Sequence, residues 1–382
     1  MLISSIGSSM VWPFMTIYIR QQFDVPLTTV GLILSLNSAA GIATTFLAGP
    51  VVDRMGRKGI MVFSLLGSGL VYLTLNMATS VSMLAILMTI NGGIGPLYRI
   101  GSNAMVADLI EPKERPGAYA LLRMSNNSGI AIGPAIGGFV AAVSYFWTFL
   151  GACVAYIIFA ALVLFWVQET LSSQQSEAQS QPTRGGYGPL LRDRPFLAYC
   201  AVSTAAIVPS ALLMVLLPVY AKEQFGVIES QYGFIMATNA VMVVIFQYQV
   251  TQHSKHLPYL PVLAAGALLY AVGAGSVALG QGFWGFWLSM VILTFGELLL
   301  VPTGTTLAAD LSPADMRGRY MGIYGLTWAF SMAVGPILGG YLNDHVSPVA
   351  IWYGGLAFGL LAAVGFLMLR RWLPEQANEM AA

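Results

Sequence analysis

The chain has 382 residues, 57% of them hydrophobic and 9% charged, with a mean hydropathy of +0.74 and a formal net charge of +1. Soluble domains carry about 25% charged residues, so a water-soluble globule of this size is excluded. The net charge says nothing about nucleic acid, but no basic run is long enough to bind it, so no nucleic-acid partner is expected.

The apolar residues gather in stretches of about twenty, the length a helix needs to cross a hydrocarbon core of roughly 30 Å. In chain order the spans are expected at 2–20, 28–50, 59–78, 82–108, 117–143, 145–167, 196–221, 230–250, 258–279, 283–309, 318–343 and 348–369. Barrel strands would show period-two alternation, which is absent, and only helices otherwise satisfy every backbone polar group in lipid. The expected fold class is therefore an all-α membrane protein of twelve transmembrane helices. The first stretch lacks a charged leader and a small-residue cleavage site, so it reads as a span and not as a signal peptide. Cys153 and Cys200 fall inside spans without metal-ligand spacing and read as small core residues.

Of the seventeen Lys and Arg residues, thirteen lie on one side of this topology, from Arg54, Arg57 and Lys58 to Arg370 and Arg371. Only Arg20 and Lys222 lie on the other side. The positive-inside rule then places both termini and the central loop in the cytoplasm, in a cell inner (plasma) membrane.

An offset of 202 residues aligns the two halves without a gap from the first span to the eleventh. Tyr18, Gly31 and Asn37 meet Tyr220, Gly233 and Asn239; Asp108 and Arg115 meet Asp310 and Arg317; the hexapeptide GPAIGG at 133–138 meets GPILGG at 335–340. The expected organisation is an N-terminal six-helix bundle over 1–167, a polar Ser/Gln/Gly-rich cytoplasmic linker over 168–194, and a C-terminal six-helix bundle over 195–382. Span seven starts near Pro195, so its counterpart would begin before Met1, and the chain is expected to open inside its first helix.

Two motifs carry a family resemblance. After the second span, Gly49, Asp53, Arg54, Gly56, Arg57 and Lys58 stand in a Gly-x-x-x-Asp-Arg-x-Gly-Arg-Lys pattern. Gly49 allows close helix approach, and Asp53 can accept from helix-terminal N–H groups. In the fifth span, Gly129, Gly133, Pro134, Gly137 and Gly138 form a grooved, bent segment. With two parallel six-helix halves, the whole chain resembles the major facilitator superfamily, and the second motif resembles that of its drug:proton antiporter branch. The resemblance implies that the loop is a cytoplasmic latch in which Arg57 reaches Asp53 and Asp108, helping to hold the outward-facing state. The matching loop of the second half, Thr251 to Leu260, lacks the pattern, so the latch is expected to be one-sided. The family's arginine motif early in span four is absent too: Met83 to Gly93 holds no basic residue.

Three ionisable residues sit deep in spans: Arg99, Arg123 and Glu297. Each costs about 2.5–3.5 kcal/mol at mid-helix, so each is expected to face a polar cavity or another of the three. At 1.5 Å per residue Arg99 is about 13 Å from Asp108, Arg123 about 12 Å from Arg115, and Glu297 about 20 Å from Asp310. These depths converge on the central cavity in which the family binds substrate. Glu297 is the only mid-span carboxylate and is expected to couple protons; the alternative is a permanent pair with an arginine. Arg99 and Arg123 would line the cavity, or else bond helix carbonyls. Tyr18, Asn37, Asn91, Tyr98, Asn126, Asn127, Asn239, Gln247 and Trp328 complete the expected lining, while Trp284 and Trp287 read as interfacial anchors. His253, His256 and His345 are expected in loops.

The expected function is secondary active transport, proton-coupled efflux of amphiphilic or drug-like solutes by alternating access, with uptake or flipping of an anionic solute or lipid headgroup as the alternative. No nucleophile–base constellation or phosphate-binding loop suggests an enzyme. No cofactor or metal is implied; the expected partners are a small-molecule or lipid-like substrate, protons and membrane lipids, and the chain is expected to act as a monomer.

Overall fold

The computed structural model describes residues 1–111, 114–170, 188–313 and 316–372, the side chains of 48–55, Pro116 and Ala120 excepted. Among the described residues there are twelve helices of at least 18 residues and no strand. They are α1 (Leu2–Phe23), α2 (Leu27–Met55), α3 (Arg57–Leu75), α4 (Val81–Leu109), α5 (Arg115–Val143), α6 (Tyr145–Trp166), α7 (Arg194–Phe225), α8 (Glu229–Ser254), α9 (Tyr259–Ser276), α10 (Gly282–Asp310), α11 (Arg317–His345) and α12 (Ala350–Leu369). Eleven are long and apolar enough to cross a membrane. The twelfth, α5, is as long as α4 at 29 residues, but its Ser125-Asn126-Asn127-Ser128 run lowers its hydropathy. Several helices overrun their expected spans, α2 and α8 by a turn or more, because polar loop residues continue the backbone ladder. His253 and His345 thereby fall on last turns and not in loops.

Local chemistry explains the punctuation. Pro13 lies in a 3-10 turn, Trp12–Phe14, that interrupts α1. The first turns of α4, α6 and α7 are capped by Ser80, Ser144 and Asp193, whose side chains accept from Met83, Phe146 and Phe196 N–H groups. The two bundles' first helices end alike: Asp24 closes α1 and Gly226 closes α7, both in the left-handed region. Pro96 breaks the ladder of α4, and Ser64 mends it. Its Oγ donates to Ile94 O at 2.8 Å and accepts from Tyr98 N at 3.1 Å, the pair that would otherwise bond across one turn.

The chain divides into two compact units. The first comprises Met1–Asp24, Ile33–Thr183 and Ile228–Ala237; the second comprises Val25–Leu32, Arg184–Val227 and Thr238–Ala382. In the first, α3, α4 and α6 enclose Ile60, Met61, Leu65, Leu97, Met105, Ala160 and Val163. Its α1 lies on α5 along a seam of small residues: a Cβ on Gly129, Gly133 or Gly137 would strike Ser5, Ser9 or the Met10 backbone. The opening turns of α8 complete this unit, with Gly233 against the Pro134 carbonyl and Gly138 against Glu229 and Ser230. In the second unit α7 is central, and Tyr220, Phe286 and Trp352 form an aromatic cluster. The opening turns of α2 pack here on α11: Gly31 meets Pro336, Gly340 meets Leu27 and Thr28, and the Asp344 carboxylate accepts from Leu27 N (3.2 Å), Thr28 N (2.7 Å) and Thr28 Oγ1 (2.7 Å). The two repeated GP-x-x-GG segments thus do the same packing task in each unit.

The segment expected as a featureless linker has ordered ends. Glu169 and Thr170 bond to α3 and α4, and Gly188–Arg192 forms a short helix with Leu190 buried. Its remainder lies outside the described residues.

The seam predicts that Gly137→Val destabilises the protein by about 1–3 kcal/mol through overpacking. Gly322→Ala, where a Cβ meets nothing within 4 Å, should be neutral or stabilising by up to about 1 kcal/mol. Thermal unfolding of the detergent-purified variants checks both.

Candidate functional site

At the basic end of the first unit, Arg57 Nε donates to Asp108 Oδ2 at 3.1 Å, with the two side chains 4% and 16% exposed. Thr170 Oγ1 donates to the same oxygen at 3.0 Å. The start of α3 is held by a residue that sequence reasoning passed over. Glu169 accepts from Arg57 N at 2.9 Å and from Lys58 N at 3.0 Å, satisfying two of the helix's first N–H groups. Gly56, with φ +78°, makes this possible, since a Cβ there would collide with that carboxylate. Glu169 thus caps the start of α3; the side chains expected to serve the latch at Gly49, Asp53 and Arg54 lie outside the described residues.

In the second unit the position matching Arg57 is Tyr259. It stands 202 residues after Arg57, and its hydroxyl donates to Asp310, the counterpart of Asp108, at 2.8 Å. The contact survived the repeat, while the ion pair became a neutral-donor hydrogen bond. Sequence comparison hid this because Tyr and Arg share no charge.

Deeper in the first unit, Arg99 and Arg123 are exposed and form no hydrogen bond or ion pair with a described residue. On α4, the face holding Leu97, Gly101 and Met105 packs on α3, and Arg99 projects from another face beside Gly95, where nothing lies within 4 Å. On α5, Arg123, Asn127, Pro134 and Gly138 fall in one stripe, spaced four, seven and four residues apart. Pro134 and Gly138 are covered by α8, whereas Arg123 and Asn127 are bare. Among the described residues no helix carbonyl bonds either arginine.

In the second unit, Glu297 on α10 accepts from Asn239 Nδ2 at 2.8 Å, and that amide also donates to Thr294 Oγ1 at 3.0 Å. Glu297 is partly buried and makes no ion pair with a described residue of its unit. The preceding Gly296 lies against the Gly266 carbonyl and the Tyr270 ring, so close that a Cβ would clash with both. Trp328, 39% exposed, borders a cavity with Leu300, Val301 and Tyr324.

Several expected lining residues instead hold helices together. Tyr18 is buried, donates its hydroxyl to Leu75 O at 2.9 Å and meets Phe149 edge-on. Tyr98 packs on Phe159 and the α3–α4–α6 core. Asn37 donates to Met88 O (2.8 Å), Asn126 accepts from Ser5 Oγ (2.8 Å), and Asn91 is half-buried beside Tyr72. Gln247 donates to Leu298 O at 3.2 Å and Thr251 Oγ1 at 3.0 Å. In lipid a side-chain amide gains most by serving a neighbouring carbonyl. Trp284 is exposed as an anchor would be, but Trp287 Nε1 donates to Thr238 Oγ1 at 3.0 Å and belongs to the packing.

A model of the family described as the Major Facilitator Superfamily matches residues 1–227 and again 204–381. The chain is 26% identical to a Na(+), Li(+), K(+)/H(+) antiporter of Planococcus maritimus, over 94% of this chain and 89% of that one. It is 25% identical to the multidrug resistance protein MdtH of Escherichia coli, over 89% of this chain and 83% of that one. Among solved structures it superposes on the nucleoside transporter NupG with a TM-score of 0.80 and 12% identity, covering 97% of each chain.

The capping geometry predicts that Glu169→Ala costs about 0.5–2 kcal/mol and speeds amide exchange at the start of α3. Hydrogen-exchange mass spectrometry should find protection lost at Arg57 to Ile60 and retained at the start of α9.

Proposed function

The chain belongs to the major facilitator superfamily and is a multi-pass membrane transporter; from that premise we propose that it is a proton-coupled antiporter exporting amphiphilic, drug-like solutes. One observation carries the reading: Glu297, the single acid in mid-span, is held by an amide, Asn239, and by no cation of its own unit. A charge without a counterion costs several kcal/mol in the membrane interior, and exchange of a proton lets one carboxyl visit both charged and neutral states. One charge crossing 100 mV is worth about 2.3 kcal/mol, enough to drive useful accumulation. The likeness to a protein named as a cation/proton antiporter and to one named for multidrug resistance supports both proton exchange and export.

In this reading residues 1–167 and 195–382 rock as two bundles about the substrate, joined by 168–194. The basic end faces the cytoplasm of a plasma membrane, with both termini there, and a monomer is the working unit. The Arg57–Asp108 and Tyr259–Asp310 contacts are made and broken in the cycle.

A second reading rests on Arg99 and Arg123. Two guanidinium groups without a partner among the described residues favour an anionic solute or lipid headgroup, moved inward or flipped.

In everted vesicles with an imposed pH gradient, wild-type protein should accumulate an exported dye, and Glu297→Gln should abolish the gradient-driven part while leaving downhill exchange. Unchanged proton-driven uptake by Glu297→Gln would reject the coupling role. Under the second reading, Arg123→Ala should weaken transport of an organic anion at least tenfold and leave a neutral dye unaffected.

A further inference from the structure

The 202-residue register runs on through the last helix of each unit, where Ala160 and Ala161 of α6 meet Ala362 and Ala363 of α12. At the ends of these helices the copies part. Glu169, which turns inward to cap α3, has Arg371 as its counterpart, and Thr170 has Trp372. A guanidinium carries no acceptor and cannot cap a helix N-terminus, so the second unit gave up the task that Glu169 performs. Arg371 and Trp372 are instead exposed, in a closing turn where their N–H groups donate to Met368 O (3.2 Å) and Leu369 O (2.9 Å).

Arg371 has company at this rim. α12 packs antiparallel on α7, with Gly355 against Pro209 and Leu212, and Gly365 against Val202. The Phe366 and Tyr199 rings lie 6.3 Å apart. From that contact Arg194 is five residues along α7 and Arg371 five along α12, each about 7.5 Å away at 1.5 Å per residue. The two cations therefore share one level. Arg192, at the end of the short helix Gly188–Arg192, adds a third exposed cation just before α7. None of the three side chains bonds a described residue. The described acids at this end are already engaged: Asp193 accepts from Phe196 N (3.1 Å) and the Tyr320 hydroxyl (2.8 Å), and Asp310 from Tyr259.

Above the rim the surface turns apolar. Trp372, Met368, Gly365 and Leu361 fall in one stripe of α12, spaced four, three and four residues apart. All but the half-buried Gly365 are exposed, and Ala201 is exposed on α7 beside Val202. Exposed apolar side chains of a spanning helix face acyl chains, and a tryptophan at the helix end marks the headgroup level.

We propose that this rim of the second unit is a seat for an anionic phospholipid, its phosphate between Arg194 and Arg371 and one acyl chain along the stripe from Trp372 to Leu361. Arginine suits the phosphate because its N–H groups can donate in pairs. Basic clusters at the ends of spans attract acidic headgroups. A zwitterionic headgroup brings an ammonium as well, for which no described carboxylate stands free here, so charge selects the anionic lipid. The seat requires a bilayer and is independent of the direction and coupling of transport.

The test titrates full-length, detergent-purified protein with phosphatidylglycerol or phosphatidylcholine and counts bound lipid by native mass spectrometry. The first phosphatidylglycerol should bind at least fivefold tighter than the first phosphatidylcholine. Arg194→Gln with Arg371→Gln should erase that preference, while Arg194→Lys with Arg371→Lys should retain it. Lys255→Gln with Arg317→Gln removes two charges elsewhere at the same end and should change it by less than twofold. Equal wild-type affinity for the two lipids overturns the proposal. An equal loss in the Lys255/Arg317 variant also overturns it, leaving only diffuse attraction to a basic end. Displacement of the bound lipid by equimolar inorganic phosphate would reject a lipid as the occupant. Proton-driven flux bears on the transport reading alone and leaves the lipid result standing.

Discussion

Close contact between helix backbones is the constraint on which this molecule depends. Lipid tails are as apolar as leucine, so helices in a bilayer gain nothing from burying greasy faces and must associate through fit and hydrogen bonds. The seams of small residues follow from this: Gly129, Gly133 and Gly137 against α1, Gly266 facing Gly296, and Gly359 over Ala271. The proposed coupling site inherits its geometry from one of them. With Gly296 pinned between the Gly266 carbonyl and the Tyr270 ring, the next residue, Glu297, is presented toward α8, where Asn239 receives it.

A duplicated unit keeps its packing and changes its charges. The GP-x-x-GG segments of α5 and α11 lie on the opening turns of α8 and α2 in the same manner, and Asp108 and Asp310 each keep a donor 202 residues apart. Ionisable groups in the spans did not persist in pairs: Glu297 answers to Gly95, Arg99 to Val301 and Arg123 to Gly325. Each charge within a span is costly, so carrying it in one copy only limits that cost. One unit is thereby left with an anionic group and a hollow apolar wall, the other with cationic groups.

Polar residues in the spans divide by what they touch. Asn37, Asn126 and Gln247 each bond a carbonyl or hydroxyl of a neighbouring helix, and Tyr18 does so with Leu75 O. Arg99, Arg123 and Asn127 do not pack in this way, and they stand on helix faces that the surrounding helices leave bare. Residue type alone does not separate these groups.

Composition, the length of the apolar stretches and the 202-residue repeat determined the helical class, the twelve spans and the family, because the bilayer admits few backbone solutions and duplication leaves a register that can be read directly. The Arg57–Asp108 contact was legible for the same reason, as a motif with fixed spacing. The tertiary structure alone decided that Glu169 caps α3, that Tyr259 stands in for an arginine, and that Tyr18 and Tyr98 are packing residues. Each of these depends on which side chain of a distant helix arrives within hydrogen-bond reach. A helical stripe tells which way a residue points and leaves open what stands opposite it.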